Sequence, residues 1–103
     1  MPKIKVAVHK GFCNNYPSHV VEVDKDGEIF FERFRTENDA GIAAAIVSEL
    51  DSTALENANV FTGDGVVLIR YSDDDNGFVC KKFQVENNSV LAISHLIAFL
   101  QED

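Results

Sequence analysis

No hydrophobic run in the 103-residue chain approaches the ~18 residues that a membrane-spanning helix needs. Membrane partners are therefore not expected. Basic residues are also scarce: 9 Lys and Arg stand against 17 Asp and Glu, a formal net charge of −8. That average field repels a phosphate backbone, so direct nucleic-acid binding is not expected. Only two cysteines and two prolines are present, and there is no Pro-rich or Ser-rich linker and no low-complexity tract. The chain then reads as one α+β domain, 1–103. A chain of this length buries between about 60% and about 70% of its unfolded surface, so it needs neither a metal nor disulfides to fold. No cofactor is expected.

What is present is mostly strand pattern. Lys3 to His9 alternates, with Ile4, Val6 and Val8 on one face and Lys3, Lys5, Ala7 and His9 on the other, which predicts a half-buried strand. The same alternation makes the N-terminus unlike the apolar core of a secretion signal. The expected location is the cytoplasm, where two cysteines are most simply free thiols. A loop, HKGFCNNYPSH at 9–19, follows. Strands are predicted at 19–24, 28–35, 60–62, 66–72 and 78–85. Lys25-Asp26-Gly27 and the Asp73–Gly77 run supply hairpin turns.

Two helices complete the pattern. Thr36 is placed to cap the first, with acids in its first turn and a core stripe of Ile42, Ile46, Val47 and Leu50. Asn87 or Asn88 is placed to cap the second, from Val90 to about Gln101. That last helix is apolar around most of its circumference. Either it is sandwiched inside the monomer or it packs against a second copy. A homodimer is the expectation, with Ile93, Leu96, Ile97, Phe99 and Leu100 as its anchors.

The predicted order β-β-β-α-β-β-β-α gives a mainly antiparallel sheet of five to six strands with both helices on one face. RFRTEND at 33–39 and KFQVENN at 82–88 share Phe, Glu and Asn, so the chain divides into two degenerate ββα halves, about 1–51 and 58–103. Three strands, a helix opening at TEND with an AAAIV segment, and the following NVFTGD resemble the first half of a ribonuclease H-like domain. The resemblance covers roughly the first 60 residues. It implies a truncated ribonuclease H-like topology as the alternative fold. It also implies a two-metal nuclease with carboxylates from the first strand, the helix and the fourth strand. Those positions fall at His9, near Gly41 or Ile42, and at Asp64, so the resemblance carries the topology without the chemistry.

The loop at 9–19 gathers the residues with chemical potential. His9, Cys13 and His19 are metal-ligand types, but H-x3-C and C-x5-H match no zinc spacing and a fourth ligand cannot be assigned. A reactive cysteine needs a base or positive charge nearby, and Cys13 has His9, His19 and Lys10 in sequence range. Phe12 and Tyr16 are expected to act as packing or contact groups. GDG at 63–65 lacks the Lys and Ser/Thr of a phosphate loop. The leading reading is a small acidic soluble protein that acts by binding or self-association, with a possible protein partner and no catalytic constellation. The alternative is a small-molecule-binding or thiol-dependent enzyme using the 9–19 loop. A further alternative is an acidic decoy of nucleic acid.

Overall fold

The computed structural model describes residues 3–13, 16–52, 58–73, 75 and 77–101. Its elements are β1 (Ile4–Cys13), β2 (Tyr16–Lys25), β3 (Glu28–Phe34), α1 (Glu37–Ser52), β4 (Asn59–Gly63), β5 (Val66–Asp73), β6 (Gly77–Gln84) and α2 (Asn87–Gln101). The class is α+β. However, the strands form two three-stranded antiparallel sheets, β1-β2-β3 and β4-β5-β6, where one sheet of five to six strands was expected. Alternation along a strand fixes which face is buried but says nothing about its neighbour, so the division between β3 and β4 left no trace in the pattern. The ribonuclease H-like alternative finds no confirmation: β4 pairs with β5, antiparallel, in the second sheet.

The 9–19 segment is mostly strand. β1 and β2 pair from Ile4↔Lys25 to Cys13↔Tyr16, so both strands are longer than expected and run into a shared tip. Gly11 and Pro17 gave this stretch the look of a loop. β3 reaches only as far as His19, opposite Phe34. Beyond it β2 has one neighbour, and a proline lacking its N–H is tolerated there. Asn14 and Asn15, and the side chains of residues 12–17, lie outside the described residues. The β2–β3 turn is the two-residue Asp-Gly type expected, with φ of 55° at Asp26 and 92° at Gly27.

The helices cover one face of each sheet. Val21, Val23 and Phe34 from the first sheet and Val67 and Ile69 from the second share one core with Ala43, Ile46, Val47 and Leu50 of α1 and Ile93, Leu96, Ile97 and Leu100 of α2. The shortest dimension of the molecule, 20 Å, leaves room for one sheet layer and one helix layer. Burial over 41–50 recurs, residue for residue, over 91–100. Ile93, Leu96, Ile97 and Leu100 are thus spent inside the monomer, and Phe99 is half-buried with its ring stacked on Phe30 at 5.2 Å. The surplus apolar surface of the last helix is sandwiched and does not form a free face.

Three polar contacts tie helices to their surroundings. Lys25 Nζ donates to the Phe99 carbonyl, 3.2 Å away, satisfying a last-turn acceptor of α2 with a cation. Glu49 on α1 accepts from Tyr71 Oη and pairs with Lys81 Nζ at 2.8 Å, fixing α1 to the second sheet. Hydrogen bonds from Lys81 and then Tyr71 hold the Glu49 carboxyl below its ordinary value.

The third contact joins the two helix starts. Thr36 Oγ1 accepts from the Asp39 N–H at 3.1 Å, the cap expected from the sequence. The Asp39 carboxylate, 2% exposed, reaches the other helix: Oδ2 accepts from Ser89 Oγ at 2.6 Å and from the Glu86 N–H at 3.0 Å. α2 accordingly starts at Asn87, three residues before the expected Val90, and the Ser89 N–H bonds the Glu86 carbonyl at 2.9 Å. Gly65 permits the same junction from below. Its φ is +68°, and a Cβ there would stand 2.9 Å from the Val85 carbonyl oxygen and 3.0 Å from Asn87 Oδ1.

Burial pushes the Asp39 carboxyl up, but hydrogen bonds from Ser89, Glu86 and Asn38 together outweigh it and hold it below 3.8. A depressed folded value means the stabilisation is present at neutral pH and is lost as pH falls through that value. Asp39→Ala should cost about 2–3 kcal/mol at pH 7, because it strands buried donors. Urea titrations at descending pH should show the gap between the wild type and the variant narrowing as the pH falls below the ordinary carboxylate range. A constant gap between them would rule out the carboxylate as the cause.

Candidate functional site

Side-chain parity sorts every strand residue onto a helix-facing or an outer face. On the first sheet, the outer face carries Lys5, Ala7 and His9 from β1, Val20, Glu22 and Asp24 from β2, and Ile29, Phe31 and Arg33 from β3. On the second it carries Asn59 and Phe61 from β4, Leu68, Arg70 and Ser72 from β5, and Phe78, Cys80 and Lys82 from β6. No helix covers either face. Ile29, Phe31, Phe61 and Phe78 are 51–66% exposed there. Large apolar groups held in water side by side are what binding surfaces offer.

The second face has a definite construction. Arg70 sits on the central strand, diagonally between Phe61 and Phe78 on the flanking strands. Its guanidinium carbon lies 5.3 Å from the Phe61 ring centre and 5.4 Å from the Phe78 ring centre. Each contact is a cation–π interaction worth about 0.5–1 kcal/mol at an exposed site. The two rings restrain Arg70 and leave guanidinium N–H groups for a carboxylate. Lys82 shares the face, which among the described residues of the three strands bears no carboxylate. On the first face the sign at the centre is reversed: the outer residues of β2 include Glu22 and Asp24. Glu22 Oε2 lies 3.7 Å from His9 Nε2.

The residues singled out in the 9–19 segment are not brought to one place. His9 is exposed on the outer face. His19, 6% exposed, lies on the helix-facing side, opposite Lys10 and Phe34. The sheet therefore stands between the two imidazoles. Cys13 pairs with Tyr16 at the end of the hairpin, four residues from His9 along one strand. That is about 13 Å at 3.3 Å per residue. The side chains of Phe12, Cys13 and Tyr16 lie outside the described residues. No three His, Cys, Asp or Glu side chains among the described residues are grouped so as to hold a metal. His95 meets Glu32, with Nδ1 2.9 Å from Oε1, on the rim between α2 and β3.

Sequence pattern missed both faces because alternation separates the two sides of one strand but does not say which strands lie beside it. Phe61 fell in a predicted strand of only three residues and Phe78 opened another, so neither read as a neighbour of Arg70. EIFFERF in β3 did carry a usable signal: Phe30 and Phe31 have opposite parity, so one of them had to face outward. Phe61→Ser and Phe78→Ser should each lower stability by less than about 1 kcal/mol, as surface changes that remove one cation–π contact. Phe99→Ala, which removes the ring stacked on Phe30, should cost about 2–3 kcal/mol. Chemical denaturation measures all three, and equal losses would mean the outer rings are structural.

Among the described residues no helix is long and apolar enough to cross a membrane. No family model, curated protein or solved structure matches this chain.

Proposed function

We propose that the protein acts by binding, with the uncovered outer faces of its two sheets as the recognition surface and without a catalytic constellation. One observation carries the reading: Ile29, Phe31, Phe61 and Phe78 stand in solvent on those faces, two of them around Arg70. The core helices spend nearly all of their apolar residues internally; Leu91 is the large exception. Exposed aromatics with a preorganised arginine are the composition of interface hot spots. A protein partner fits better than a nucleic acid. Arg70 and Lys82 offer few phosphate contacts, and the chain's net charge of −8 opposes a polyanion. A cytoplasmic setting fits the free, exposed Cys80 thiol, which a reducing compartment preserves.

This reading places the contact on the sheets and not on α2. A photo-crosslinking amino acid at position 31 or 78, with position 91 on α2 as the control, separates the two in cells that express the protein. Adducts from 31 and 78 with none from 91 are expected. Adducts from 91 alone, or from no position, would remove the sheet faces from consideration.

A further inference from the structure

We infer that the occupant of these faces is a second copy of this chain, with the first sheet of each copy lying against the second sheet of the other. The inference rests on reading the outer faces as binding surfaces. It adds the partner and the register of charges.

The central strands of the two faces complement each other, with Lys5, His9 and Arg33 on the strands that flank the carboxylates of the first face. The centre of the second face is Arg70, flanked by Phe61 and Phe78. The centre of the first is Glu22, with Phe31 directly across the ladder and Ile29 beside Asp24. Arg70 against Glu22 places a restrained guanidinium on a carboxylate, with apolar groups around both to exclude water. A face meeting its own copy would instead set Arg70 near Arg70 and Glu22 near Glu22. Such like-charge contacts are unfavourable.

Size favours reciprocal pairing. The strands of the first sheet have 10, 10 and 7 residues and those of the second 5, 8 and 8. At a mean of about eight residues and a spacing of about 4.8 Å, three strands present roughly 350–400 Å² per face, which alone is no more than a weak contact. Two such faces per copy give roughly 700 Å², close to the ~800 Å² per partner of a standard interface. Both faces look away from the helix layer. A two-fold axis between the copies therefore pairs first sheet with second sheet twice and closes the assembly. A single, one-way pairing would leave one face of each copy open and would build chains.

The experiment is a charge swap read by light scattering or sedimentation at tens of micromolar. The wild type is expected at twice the 11.4 kDa of one chain. Arg70→Glu and Glu22→Arg should each weaken association by roughly tenfold or more, with far-ultraviolet dichroism unchanged. The double variant Arg70→Glu/Glu22→Arg should recover most of the loss, because it restores opposite charges across the interface. A monomeric wild type would overturn the inference while leaving any cross-linked adducts from positions 31 and 78 as evidence of a different partner. A wild-type dimer that the double variant fails to rescue places the contact elsewhere and overturns it too. So would open-ended oligomers.

Discussion

The buried carboxylate of Asp39 is the constraint on which the arrangement of the two halves depends. It sits in the first turn of α1 but accepts its hydrogen bonds from Ser89 and Glu86 at the start of α2. A carboxylate taken out of water must be compensated by donors, and here Asn38 supplies one while Ser89 Oγ and the Glu86 N–H, at the start of the other helix, supply two more. The two helix starts are therefore held in one place, at the positive ends of both helix dipoles, where a negative charge is favoured. Once those ends are pinned, the apolar stripes of α1 and α2 lie side by side over both sheets, and one core results. Gly65 serves the same junction by leaving space where a side chain would press on Val85 and Asn87.

The other ends of the helices are held by different chemistry at related positions. Glu49, near the end of α1, reaches Tyr71 and Lys81 of the second sheet. Phe99, near the end of α2, stacks on Phe30, and its carbonyl receives Lys25 of the first sheet. Each helix thus braces the sheet that it does not directly follow in the chain. The first sheet is covered partly by α2, along β3, and the second is tied to α1 through Glu49. This cross-bracing also explains why the last helix is so apolar. It faces α1, the first sheet and the second sheet at once, and needs more than a single stripe.

Burying so much of the helices leaves the opposite side of both sheets to carry any recognition. The outer faces are antiparallel, carry exposed aromatics, and have central strands of opposite charge. Antiparallel sheets commonly keep one face in water, and that face is normally polar. Phe31, Phe61 and Phe78 break that rule where the fold gains little from them, which is the physical basis for assigning them to binding.

Local chemistry made much of the fold legible. The Asp26-Gly27 turn, the Thr36 cap, the core stripes of both helices and the alternation of the strands follow from steric limits on φ and from periodicity, and those act within a few residues. The α+β class follows from them. The sequence misled at Gly11 and Pro17, where turn-forming residues lie inside a long hairpin because β2 has lost its second neighbour. It was silent on whether one sheet or two would form, on which side of the sheet His9 and His19 would emerge, and on the meeting of Phe61, Arg70 and Phe78. Those are relations between strands set by register and by the shared core. Asp39 shows the same division: as a polar residue in a first turn it is ordinary capping chemistry, and only the approach of a helix some fifty residues away made it the buried link between the two halves.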